Sequence, residues 1–177
     1  MSNEQMRWLL KLIQPARTLA SLPGGAGLSR ETHAALLGLA PEDYATELAR
    51  MKAEARDAAN ELLADPAVAS MVDRLPLRKG ATIVAFGDSL TSEPQSWAVI
   101  LGELLAARRA ADGISVVVSA VGGDTTTHGL VRFGEVVGRQ PDWILFLIGT
   151  NDARTVSNQR SHVDAGDRMV MRLESPK

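Results

Sequence analysis

Ala81-Thr82-Ile83-Val84-Ala85-Phe86 is an unbroken run suited to a buried strand, and it passes directly into Gly87-Asp88-Ser89-Leu90-Thr91. Pro94 then opens a helical pattern. No other stretch constrains the fold as strongly. A strand that does not alternate polar with apolar residues is what a parallel sheet covered on both faces requires. In an open α/β sheet, ligands bind at the carboxyl ends of the strands. Gly87 lets the backbone turn without a Cβ penalty, so a serine two positions on can face that crevice. The tetrapeptide alone has a second reading, in which Asp88 and Ser89 only cap the next helix.

Two later stretches repeat the arrangement. Ile114 to Ala120 runs into Val121-Gly122-Gly123-Asp124-Thr125-Thr126, and Trp143 to Ile148 runs into Gly149-Thr150-Asn151-Asp152. The spacing predicts strands over about 81–86, 114–119 and 143–148. Helices are predicted over about 95–110, with Trp97, Leu101, Leu104 and Leu105 facing the core, and over about 125–138, burying Leu130, Phe133 and Val137. Asp112-Gly113 turns the chain between the first helix and the second strand. The right-handed βαβ rule then favours a doubly wound sheet. Neither Gly24-Gly25 nor Gly122-Gly123 opens a dinucleotide-binding G-x-G-x-x-G.

Gly-Asp-Ser-Leu, Gly-Gly-Asp and Gly-Thr-Asn-Asp in this order resemble the GDSL hydrolases, also called the SGNH superfamily, over roughly residues 80–152. The resemblance implies a flavodoxin-like, three-layer α/β fold, here with an incomplete parallel sheet. It implies hydrolysis of carboxylic esters, including acyl groups on small molecules or sugars, through a serine acyl-enzyme, with no cofactor and no metal. It maps the nucleophile onto Ser89 and the oxyanion residues onto Gly123 and Asn151. The donors would be the Ser89 and Gly123 backbone N–H groups and the Asn151 side-chain amide. Read without the family, Gly123 permits a tight turn and Asn151 caps a loop, while Asp88, Asp124 and Asp152 bond their own turns.

The family's fourth block, Asp-x-x-His near the C-terminus, has no counterpart. Three residues before His33, His128 and His162 stand Arg30, Thr125 and Gln159. By that comparison the domain is C-terminally truncated, and simple aryl esters are expected to turn over at or near background. His128 falls on the second predicted helix. His162, followed by Asp164, is the nearest substitute, but no apolar residue beside it anchors the ring, so it is expected to stay away from Ser89.

Residues 1–79 read as a helical N-terminal segment, 80–152 as the partial α/β domain and 153–177 as a polar, irregular tail. Ser2 and Gln5 suit a capping box, with Met6, Leu9, Leu10 and Ile13 on one face. Pro15 ends or kinks that helix, and residues 22–27 form a connector. Ser29 caps a short helix through Leu39. Pro41 starts a longer one with a stripe of Tyr44, Leu48, Met51, Ala55, Ala58 and Leu62. Asp65-Pro66 starts another, burying Val68, Met71, Val72 and Leu75. His33 and Tyr44 read as surface or packing residues, and Glu42, Asp43, Glu47 and Glu54 as a solvated face.

With 45% apolar residues in 177, the chain can build a core, which excludes global disorder. Its 19 basic and 21 acidic side chains give no basic surface for nucleic acid. The absence of cysteine excludes disulfides and thiolate metal sites. Trp8 to Ile13 is interrupted by Lys11, so it is no secretory signal, and no stretch approaches the ~20 apolar residues of a membrane span. A cytoplasmic protein acting on a small ester or acylated molecule is expected, with no nucleic-acid or membrane partner. In a 2-1-3 strand order, Trp143 to Ile148 lies at the sheet edge, where self-association is expected. Two other readings stay open: a non-catalytic ligand-binding or partner-docking module, and a phospho-receiver with Asp88 as acceptor, which lacks the usual neighbouring acidic pair.

Overall fold

In a computed structural model of the chain, residues 2–19 and 27–153 are described. The expected tail after Ala153, with His162, and residues 22–26 of the connector lie outside them. The described residues form two compact units, drawn from Met1–Leu75 with Glu93–Arg108 and from Pro76–Ser92 with Arg109–Lys177. None of their helices is long and apolar enough to cross a membrane.

The first unit is helical. Helix α1 (Asn3–Ile13) opens on the Ser2–Gln5 capping box and closes at Gln14 in the left-handed region, before α2 (Pro15–Thr18). Ser29 caps α3 (Arg30–Leu36), Pro41 is the first residue of α4 (Pro41–Leu63), and Asp65 caps α5 (Pro66–Asp73). Leu10, Ala34, Tyr44 and Met51 make one core, and the His33 ring lies 6.5 Å from that of Tyr44.

Several expectations about faces are corrected. Helix α4 buries Tyr44, Glu47, Met51, Ala55 and Ala59 while Leu62 is exposed. Glu47 is only 4% exposed and is no part of a solvated face. It accepts a hydrogen bond from Arg50 at 2.6 Å and lies 4.0 Å from Arg7, the pairing that makes a buried carboxylate tolerable. Glu54 likewise takes hydrogen bonds from Arg7 and Gln95. On α5, Val72 is buried but Met71 points outward, and on α1 Ile13 is exposed.

The second unit holds the sheet. Strands β1 (Thr82–Gly87), β2 (Ser115–Ala120) and β3 (Trp143–Leu147) are parallel in the order β2-β1-β3, the flavodoxin-like α/β arrangement after a helical N-terminal segment. Strand β1, in the centre, is buried from Ile83 to Gly87. Helix α6 (Ser89–Ser92) follows it, α7 (Trp97–Arg108) belongs to the helical unit, and α8 (Thr126–Gly138) follows β2. Helix α8 presents Gly129, Arg132, Phe133 and Val136 inward, with Val136 and Phe133 packed against Val84 and Phe86. Leu130 and Val137, expected inside, are exposed. The inward stripe keeps helical spacing, but a glycine and an arginine occupy two of its positions, so apolar counting misplaced the face.

Candidate active site

The strand ends share one rung: Gly87 pairs with Ala120 on one side and with Leu147 on the other. The segments carrying Ser89, Gly123 and Asn151 therefore leave the sheet from the same edge. Adding a Cβ to Gly87 would drive it into the Leu147 carbonyl and the Thr91 side chain, so glycine is what lets the three ends close up.

After Gly87, Asp88 is fully buried and does the capping. Its carboxylate accepts the Leu90 N–H at 3.0 Å, and its carbonyl accepts those of Thr91 and Ser92 at 3.1 and 2.9 Å. With capping done by Asp88, Ser89 is half-buried, and among the described residues its hydroxyl has no hydrogen-bond partner. His128 does not supply one. It is exposed on the first turn of α8, where its Nδ1 accepts the Thr125 N–H.

The segment after β2 forms a tight turn pinned at both ends. Val121 donates its N–H to the Gly87 carbonyl at 3.2 Å, and Asp124 donates back to the Val121 carbonyl at 3.2 Å. Gly123 sits at φ +85°, the third-position conformation that favours glycine in such a turn. The turn lies against the serine: a Cβ on Gly122 would stand 3.9 Å from the Ser89 Cβ.

The segment after β3 is tied to that turn and to α8. Asn151 donates its side-chain amide to the Asp124 carbonyl at 2.8 Å. One Asn151 N–H is thereby used, and the amide has a second to offer. Asp152 is buried and accepts from Thr126, the N–H at 3.0 and 3.1 Å and the hydroxyl at 2.6 Å. A carboxylate at the first turn of α8 meets the positive end of its dipole. Asp88 thus bonds its own turn, Asp152 caps α8 from 26 residues away, and the Asp124 carboxylate is taken up by Arg132 on α8.

Sequence reading missed Arg132. Its guanidinium donates to the Gly87 carbonyl at 2.8 Å, the Ser119 carbonyl at 3.1 Å and the Asp124 carboxylate, and it lies 4.3 Å over the Phe86 ring. It touches the ends of β1 and β2 and the glycine turn together. The signal available was its place between Gly129 and Val136, on the stripe that also carries Phe133.

Among the described residues no group of His, Asp or Glu could hold a metal ion. A hollow of about 620 Å³ lies on α1, lined by Glu4, Gln5, Trp8 and Leu9. Its described lining comes from one helix, without the convergent polar groups of a binding site among the described residues, so the strand-end frame is the better candidate.

A family model described as GDSL-like lipase/acylhydrolase matches residues 85–175, just over half of the chain and beyond the three blocks that carry the sequence resemblance. No curated protein matches the chain.

Proposed function

The chain belongs to the GDSL-like lipase/acylhydrolase family, and we propose that its site acts on an ester of a small acylated molecule through Ser89. The observation carrying this reading is the packing of the Gly122-Gly123 turn against Ser89, with Asn151 hydrogen-bonded to the same turn. In the proposed reaction the Ser89 Oγ bonds to the carbonyl carbon, and the C=O electron pair moves to oxygen. The N–H groups of Ser89 and Gly123 and the Asn151 amide receive that oxyanion. Collapse breaks the bond to the alcohol oxygen, which leaves with the proton given up by Ser89. Water then cleaves the acyl-serine, releasing the acid.

A serine hydroxyl needs a base to act efficiently, and the sequence carries no Asp-x-x-His. We therefore propose turnover of simple aryl esters at or near background. In a serine protease, loss of the base alone costs about 10⁶ in kcat, enough for such a chain to look inactive in most assays. The Ser89 hydroxyl, without a partner among the described residues, also favours a second reading, a site that binds a ligand without turning it over.

The test pairs aryl ester hydrolysis with labelling by an aryl phosphonate, in which Ser89 displaces the aryloxide from phosphorus. Labelling abolished by Ser89→Ala and slowed about 10²-fold by Asn151→Ala, beside near-background hydrolysis, supports the proposal. Robust hydrolysis lost in both Ser89→Ala and His162→Ala would make His162 the base. Labelling indifferent to Ser89→Ala would leave the non-catalytic reading.

A further inference from the structure

We propose that Arg132 is a positioning residue that sets the Gly123 amide against Ser89, an inference that rests on the oxyanion reading above. The segments offering backbone donors are Asp88-Ser89 and Gly122-Gly123, and each is flanked by a group that Arg132 binds. Gly87, immediately before Asp88, gives its carbonyl to Nη2 at 2.8 Å, and Asp124, immediately after Gly123, gives its carboxylate to Nε. Nη1 reaches the Ser119 carbonyl at 3.1 Å and hydroxyl at 3.4 Å. One planar fork thus spans the end of β1, the end of β2 and the turn. The side chain is only 14% exposed, and Phe86 underlies it. The plane is therefore held on one face by a ring and at its edge by four acceptors from three residues.

The Gly123 turn depends on this fork because its own closure is slight. One internal hydrogen bond, Asp124 N–H to Val121 carbonyl, holds it, and the Gly87 carbonyl that accepts the Val121 N–H also accepts from Arg132. Moving the guanidinium takes its bond from the Asp124 carboxylate and leaves the Gly87 carbonyl with the Val121 N–H alone. The Asp124 carbonyl that holds Asn151 moves with them. Lysine keeps the charge but offers a point donor in place of the fork, so it can satisfy one acceptor and must release the others.

The experiment compares wild type, Arg132→Lys, Asn151→Ala and the double variant. It reads the Ser89 phosphonate labelling rate at saturating and limiting probe, the thermal midpoint, and the ¹⁵N–¹H shift of Gly123. Expected for Arg132→Lys are a shifted Gly123 amide and about a tenfold slower maximal labelling rate, since ångström misplacement costs up to about 10²-fold, with half-saturation unchanged. The two substitutions should be less than additive, because both act on the one turn. A merely structural role would lower the midpoint and add independently. Ser89-dependent labelling that is unchanged in Arg132→Lys, or an unmoved Gly123 amide, overturns this inference alone. Labelling that survives Ser89→Ala overturns the oxyanion reading and this inference with it.

Discussion

Gly87 has the least freedom of any residue near the site. A methyl group there meets the Leu147 carbonyl, which belongs to the neighbouring strand and cannot swing aside as a side chain would. Gly87→Ala is expected to destabilise the protein by about 1–3 kcal/mol, the usual cost of overpacking, read as a lower midpoint in urea. An unchanged midpoint would mean that the β1–β3 spacing relaxes freely. Ser89, Gly123 and Asn151 could be singled out in the sequence because each sits in a short block whose neighbours announce it. Arg132 and Glu47 could not. Arg132 finds the Gly87 carbonyl 45 residues away, and Glu47 finds Arg7 in another helix. A charge buried by distant partners looks, in sequence, like a charge in water.

Elements were legible where their signals are local. The Ser2–Gln5 box, the Ser29 and Asp65 caps, the Pro41 start and the three strand runs all lie where the sequence predicts, because a cap or strand is decided within a few residues. Helix faces were not, because a face is chosen by what it packs against. A Cβ on Gly129 would stand 3.1 Å from the Ile148 and Phe86 side chains, so a residue without a side chain suits this inward position, and Leu130 beside it turns outward. A different local device joins β1 to β3. The Asp142 carboxylate accepts the Thr82 N–H at 2.9 Å and two bonds from Arg78 at 2.9 and 2.6 Å. The Thr82 N–H, then Arg78, holds this carboxyl below its ordinary value. A carboxyl depressed in the folded state stabilises in full above its unfolded value, about pH 4, and loses that contribution as pH falls through the folded one. Asp142→Asn should therefore unfold at lower urea than wild type at pH 7, with the gap narrowing steadily below about pH 4. A gap of constant size across that range would show that the ionised form is not what stabilises the pair.

At the scale of the molecule, the sheet of the described residues ends at β3. Among the described residues its one neighbour is β1, and Trp143, Ile144, Phe146 and Leu147 remain exposed, Phe146 by 55%. Edge strands normally carry charges, bulges or prolines that discourage pairing; Trp143–Leu147 carries no charge and no proline. Concentration-dependent self-association is expected by light scattering, and Ile144→Lys should suppress it. A monomer at every concentration would overturn this expectation.

The common rung of Gly87, Ala120 and Leu147 also bears on when the site can exist. The start of β1 meets β2 across 33 residues of chain and meets the β3 end of the sheet across 60. Contacts distant in sequence close late, since loop entropy must be overcome before they are rewarded. Ser89 can therefore acquire the glycine turn while Asn151 still has no partner, and the strand-end frame is complete only after the longest closure. A chain misfolded only at β3 would keep Ser89 beside the glycine turn and lose only the Asn151 amide from the site proposed above, so the completeness of that site is bound to its slowest pairing.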